Sequence, residues 1–287
     1  VARLCFLGTP DAAVPPLRAL VDAGHEVVLV VTRPDRRRSR GPATSPSPVK
    51  AAAVELGLPV ADDLGAVAGA GADLGVVVAY GRIIPADLLA AVPMVNLHFS
   101  LLPRWRGAAP VERAILAGDE RTGVCVMAVE AGLDTGPVYA KEEVAIGESE
   151  TADELRSRLV EVGTRLLVGV LSGPLPVPVP QEGEPVYADK VTPAELELDW
   201  GRTAAELGRV VRVGRAWTTF RRRRLGVLSA EPVPAAPGAG VPGTLLGDTV
   251  ATGAGGLRLV VVQPEGGRPM DAGDWRRGAR PAPGERL

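Results

Sequence analysis

Apolar residues along this chain gather in short unbroken blocks. Leu4–Leu7, Val27–Val31 and Leu74–Ala79 are nearly continuous apolar runs. Strands of a parallel sheet read this way, because helices cover both of their faces. Between the blocks the spacing changes: Leu17–Ala23, Pro48–Leu56 and Ala109–Leu116 place their apolar positions at helical intervals, the last opening on Pro110. Gly123–Glu130 predicts a further strand, and Thr151-Ala152-Asp153-Glu154 is a capping-box pattern that opens a helix through Leu171. Alternating strand and helix predicts an α/β fold with a Rossmann-like, open, mostly parallel sheet.

The pattern changes after residue 172. Pro174, Pro176, Pro178 and Pro180 interrupt every regular element and predict a stiff extended connector. Beyond it Thr203-Ala204-Ala205-Glu206 caps a short helix to about Val213. Short strand candidates then follow at Thr218–Phe220, Arg224–Leu228, Thr244–Leu246, Asp248–Ala251 and Leu257–Val262, separated by Gly and Pro. Such spacing predicts a small β-barrel. The expected division is a first domain over residues 1–178, a linker over 179–197 and a second domain over 198–287.

Composition sharpens this picture. With 287 residues and 46% hydrophobic content there is material for two cores, and with 3% aromatic residues Val, Leu and Ala must fill most of them. Cys5 and Cys125 both fall in apolar strand-like runs, so they read as buried reduced thiols of a cytoplasmic protein. Neither a signal peptide nor a membrane span is expected from a chain that passes through Val1-Ala2-Arg3-Leu4 directly into a strand. Net charge is −2, unevenly distributed: Trp200–Leu287 holds 14 Arg, no Lys and 7 acidic residues, a balance of +7, and the remainder carries −9. A near-neutral total thus conceals a part that attracts polyanions. Arg33–Gly41 adds five Arg against one acid, which reads either as a solvated loop or as a second polyanion contact.

Candidate chemistry sits at one strand end. In Met94–His98, Asn96 and His98 share a face because strand side chains repeat with period two. An irregular loop, Phe99–Gly107, follows, and ligands of open parallel sheets bind beyond the carboxyl ends of strands. Of the two His, His25 in Gly24-His25-Glu26 reads as a surface turn residue. Asp134 in Gly132–Gly136 is either an Asx-turn residue or a third member of the set, and Tyr80 in Val78-Ala79-Tyr80-Gly81 is either packing or a ligand contact. Neither His has metal-ligand spacing, so no metal is expected. No G-x-G-x-x-G follows the first strand, so the pyrophosphate fingerprint is missing.

Asn96-x-His98-x-Ser100-Leu101-Leu102-Pro103, with Gly132-Leu133-Asp134-Thr135-Gly136 downstream, resembles the folate-dependent formyltransferases. The run Leu101–Pro110, with Phe6–Asp11 and Val78–Gly81, is similar to the branch of that family that acts on methionyl-tRNA. The likeness weakens near residues 34–46 and in the C-terminal third, and Phe99 stands where the family carries a smaller residue. The resemblance implies transfer of a formyl group from 10-formyl-tetrahydrofolate to the amine of initiator methionyl-tRNA by a monomer, without a metal. It implies Asn96, His98 and Asp134 as catalytic residues, Ser100, Leu101, Leu102 and Pro103 as the folate lining, and an OB-like C-terminal barrel. It also implies tRNA contacts from Arg36, Arg37, Arg38 and Arg40 and from Arg221, Arg222, Arg223 and Arg224. Acyl transfer to an amine needs a donor facing the developing oxyanion and a group that takes a proton. The Asn96 amide suits the first and His98 the second. Asp134 would orient His98, raise its basicity or help remove the amine proton. A formyltransferase acting on a small amine, such as a sugar nucleotide or glycinamide ribotide, would share these three residues, and a non-catalytic RNA-binding relative is a further alternative. The basic C-terminal part favours tRNA.

Overall fold

The structure, a computed structural model, describes residues 2–37, 44–235 and 240–287. The chain forms two compact units, the first drawn from Val1–Val111, Arg121–Ala145 and Glu154–Asp189, the second from Glu112–Glu120, Ile146–Asp153 and Lys190–Leu287.

The first unit is built on seven strands: β1 (Arg3–Gly8), β2 (Glu26–Val31), β3 (Val60–Ala61), β4 (Leu74–Val78), β5 (Met94–His98), β6 (Arg121–Ala128) and β7 (Val138–Ala145). Their order is β7-β6-β5-β4-β1-β2-β3. β1 to β5 pair in parallel, and β6 and β7 add an antiparallel edge. The apolar blocks became the central strands: every residue of β4 is buried, as are Leu4, Cys5, Phe6 and Leu7 of β1. In chain order the helices are α1 (Val14–Asp22), α2 (Pro48–Glu55), α3 (Ala86–Ala91), α4 (Pro110–Ala117), most of which groups with the second unit, and α5 (Ala152–Leu171), which belongs to the first from Glu154 onward. α5 comes close to β5 at Gly163, where a Cβ would lie 2.9 Å from the Leu97 side chain. The chain runs outward from β1 through β2 to β3 and returns beside β1 as β4, so the strand order reverses at β1/β4. β5 ends next to that crevice.

Two features depart from the sequence expectation. β7 was not anticipated, because Lys141, Glu142 and Glu143 are exposed on an edge strand with little apolar pattern. The proline-rich segment is a fastened strap, so residues 179–189 of the expected linker group with the first unit. Val179 and Val138 exchange backbone hydrogen bonds of 2.8 Å, Val186 N donates to Pro103 O at 3.2 Å, and Tyr187–Ala188 pairs in parallel with Arg106–Gly107. Proline lacks an N–H, yet Val179, between Pro178 and Pro180, keeps its own and uses it here.

The second unit holds helix α6 (Ala204–Val213), which carries both halves of its capping box between Thr203 and Glu206. Its strands are β8 (Trp217–Phe220), β9 (Arg223–Val233), β10 (Leu245–Leu246), β11 (Thr249–Ala251), β12 (Gly256–Pro264) and β13 (Met270–Asp271). They form an antiparallel sheet in the order β8-β9-β12-β11-β10, with β13 on β12. Trp200, Leu207, Phe220, Val227, Leu257 and Trp275 meet in its core. Helix α7 (Ala272–Ala279) was not expected: it buries just Ala272 and Trp275, too few positions for a visible period, and owes its start to Asp271, whose carboxylate caps Gly273 N and Asp274 N.

Candidate active site

Asn96 and His98 leave β5 on one face, as strand alternation requires, and Asp134 is brought to them by the loop between β6 and β7. Asn96 Nδ2 donates to Asp134 Oδ1 at 3.3 Å. His98 Nδ1 lies 3.7 Å from Asp134 Oδ2, and the two side chains are 6% and 15% exposed. His98 Nε2 sits 2.8 Å from the carbonyl oxygen of Trp105, which can only accept. Nε2 therefore carries the hydrogen of the neutral ring and Nδ1 presents its lone pair toward the carboxylate side. Asp134 Oδ2 also accepts from Gly107 N at 2.8 Å.

The loops that hold this triad are tightly constrained. Trp105 and Asp134 both have left-handed backbones, with φ of 64° and 50°. Gly107, at φ 120°, brings its N–H to Asp134 where a Cβ would meet the Ala188 carbonyl oxygen at 3.0 Å. Gly136 lies flat on the end of β6, and a Cβ there would stand 2.0 Å from Ala128 O. From the strap, Gln181 Nε2 donates to Asp134 O and Gly136 O, each at 2.8 Å. Its Oε1 accepts from Arg106 Nε at 3.1 Å and Nη2 at 2.7 Å. Sequence reasoning missed Gln181 and Arg106, since one amide in a proline-rich stretch belongs to no period.

Comparison with known proteins fits this geometry. The sequence model of the formyl transferase family matches residues 2–171, and that of its C-terminal domain matches residues 190–280. The chain belongs to the formyl transferase family. It is 46% identical to a methionyl-tRNA formyltransferase of Paracoccus denitrificans over 293 residues, covering 96% of this chain and 97% of that protein. It is likewise 46% identical to one from Methylobacterium sp. (strain 4-46), covering 99% of each. Among solved structures, the N-formyltransferase from Helicobacter canadensis in complex with folinic acid and dTDP-3-aminofucose aligns with a TM-score of 0.69 at 14% identity, over 90% of this chain and 99% of that one. A methionyl-tRNA formyltransferase from Clostridium thermocellum aligns with a TM-score of 0.60 at 17% identity, over 80% and 93%. At these identities the structural likeness concerns the fold alone.

In this formyl transferase the four residues expected to line a folate site divide by burial. Ser100 is fully buried, and its hydroxyl donates to Arg104 O at 2.6 Å. Leu102 packs with Cys125 and Met127. Leu101 and Pro103 are half-buried. Phe99, the departure from the family pattern, is buried. Tyr80 is 2% exposed and packs in the core beside Val77 and Ile84. His25 is buried rather than on the surface: Ala2 N approaches its Nδ1 at 3.4 Å, and burial lowers its pKa. Cys5 and Cys125 are free and fully buried, and burial pushes both thiols up to about 11.

The basic residues are placed in part. Arg36 and Arg37 form a two-residue strand with Thr44–Ser45, while Arg38 and Arg40 lie outside the described residues. Arg221 and Arg222 are the two-residue loop of the β8–β9 hairpin, with φ of 50° and 62°, the left-handed pair a type I′ turn demands. Arg221 binds Glu285 at 2.7 and 2.8 Å, and its guanidinium stacks on Phe220 at 4.7 Å. Arg224 stacks on Trp217 at 4.6 Å, and Arg223 lies 3.9 Å from Glu265. Arg222 is exposed at the tip. Among the described residues no group of His, Cys, Asp and Glu could hold a metal ion, and no helix is long and apolar enough to cross a membrane.

Proposed function

We propose that this formyl transferase moves the formyl group of 10-formyl-tetrahydrofolate to the free amine of initiator methionyl-tRNA, as a monomer in the cytoplasm, for translation initiation. The observation that carries the reading is the 46% identity, over nearly the full length of both chains, with relatives named for that reaction. Residues 1–178 carry the chemistry, with the strap, and residues 198–287 hold tRNA.

The residues around the triad suit such a co-substrate. Leu101 and Pro103 are half-buried and Leu133, beside Asp134, is 60% exposed, so apolar contact for a folate ring is available. Ser100 and Leu102 act from beneath, holding the loop. When bound, the co-substrate supplies an activated one-carbon acyl group. The chain's own residues then have three tasks. One Asn96 N–H faces Asp134, which fixes the amide, and the second is available to negative charge developing on the acyl oxygen. His98, held by its Nε2–H on the Trp105 carbonyl, receives the amine proton at Nδ1 and gives it back to the folate nitrogen as the bond from that nitrogen to the acyl carbon breaks. Asp134 stabilises the imidazolium so formed.

The test is to incubate the pure protein with 10-formyl-tetrahydrofolate and charged initiator tRNA, and separately with amino-sugar nucleotides and glycinamide ribotide. Formylation of the tRNA alone is expected. Phosphate contacts release counterions, so log affinity for tRNA should fall with log salt at a slope on the order of −3 to −6. Replacing Arg221–Arg224 with Ser should flatten that slope. A flat dependence in the wild type, or turnover of a small amine alone, would overturn the tRNA reading.

A further inference from the structure

We infer that Gln181 is a positioning residue: through the backbone carbonyls of Asp134 and Gly136 it sets where the Asp134 carboxylate stands relative to Asn96 and His98. The inference rests on the function proposed above. Both ends of this side chain are engaged. Arg106 grips Oε1 with two N–H groups, which fixes the orientation of the amide and aims Nε2 at the two carbonyls. Asp134 is thereby held at two points, its carbonyl by Gln181 and its carboxylate by Gly107 N. Gly107 is the neighbour of Arg106, so one side chain ties the loop that bears the carboxylate to the loop that donates to it. The tie also restrains a backbone that resists its own conformation, since Asp134 is left-handed at φ 50° without being glycine. Gly136 has no room to move toward β6, where Ala128 O already lies against it. Motion away from β6 is the direction left to the loop, and Gln181 opposes it. Carbonyls that lose a donor in a part-buried place seek another partner. A shift of about 1 Å in a catalytic group lowers turnover by as much as ~100-fold.

Gln181→Glu separates positioning from fastening. It keeps an acceptor for Arg106, so the strap stays attached, but it replaces the two donors with an oxygen that repels both carbonyls. Gln181→Met keeps the length and neither attachment. Full-length variants would be assayed for formylation of charged initiator tRNA, for thermal midpoint, and, without substrates, for the NMR shifts of the His98 ring and the Asn96 side-chain amide. The expected result for both is a kcat lowered roughly 10- to 100-fold, KM for either substrate unchanged, and displaced His98 and Asn96 resonances, with a thermal midpoint near that of the wild type in Gln181→Glu and a lower one in Gln181→Met. Wild-type kcat and resonances in Gln181→Glu would overturn the inference. So would a fall in kcat in Gln181→Glu that merely follows its thermal midpoint, or a rise in its KM. If the wild type does not formylate tRNA but the resonances move in both variants, the reaction assignment fails and the positioning role stands.

Discussion

Asp134→Asn removes a charge and one of the two acceptor oxygens. Asn retains an acceptor for Gly107 N, 2.8 Å from Asp134 Oδ2, so the loop keeps its main attachment, while an NH2 replaces the oxygen that accepts from Asn96 Nδ2. The larger loss is the attraction between carboxylate and imidazolium. At the 3.7 Å separating His98 Nδ1 from Oδ2, an effective dielectric of about 20 gives ~4 kcal/mol between unit charges. The carboxylate is 15% exposed, so partial screening brings the usable share to roughly 2–4 kcal/mol, or about one and a half to three decades of rate. The loss should fall on kcat, because the imidazolium exists once the amine proton has moved and not in the bound ground state. Single-turnover formylation at saturating tRNA and folate, with circular dichroism to verify folding, measures it. A folded variant within tenfold of wild-type kcat would remove the Asp134 charge from the chemistry.

Other expectations follow from the same geometry. Asn96→Ala deletes the proposed oxyanion donor and should lower kcat by about 100- to 1,000-fold, measured in the same assay. Gly136→Ala places a Cβ 2.0 Å from Ala128 O, so a destabilisation of roughly 1–3 kcal/mol in urea unfolding is expected, together with impaired turnover. Three carboxyl groups of the second unit are held at about 2: Glu195 by Arg113 and Thr192, Glu206 by Thr203 and Arg202, Glu285 by Arg221 and Ala282. Each is depressed on folding, so its stabilising effect is present above the ordinary carboxylate range and is lost as pH falls from about 4.5 toward 2. Denaturant midpoints of the second unit should drop across that window, and a triple Glu→Gln variant at these positions should show a flatter pH dependence.

Much of the sheet was legible because burial on both faces forces continuous apolar strands, as in Leu4–Leu7 and Leu74–Val78. Asn96 and His98 could be put on one face from period two alone. Their distance to Asp134 could not, because it depends on how the antiparallel pair β6 and β7 turns back beside β5, and no local signal encodes that register. The partner of His98 Nε2 is a backbone carbonyl, Trp105 O, which every residue possesses and no side chain announces. Gln181 was hidden for a different reason: a proline-rich run looks like a connector whether or not the N–H groups between its prolines find partners. The Arg221–Arg224 run was visible as charge, but stacking on Phe220 and Trp217 and pairing with Glu285 are tertiary and were not.

The strap has a consequence for how the sheet meets other molecules. An edge strand offers unpaired backbone groups to any extended chain, and β7 is such an edge. Its first residue, Val138, is already engaged with Val179, and Lys141, Glu142 and Glu143 place charge along the rest. The opposite edge, β3, is two residues long and gives an incoming strand little to pair with. Detaching the strap would uncover the apolar start of β7 while leaving Val177 and Val179 exposed on a loose segment, so variants that break it should be prone to self-association before they lose their fold.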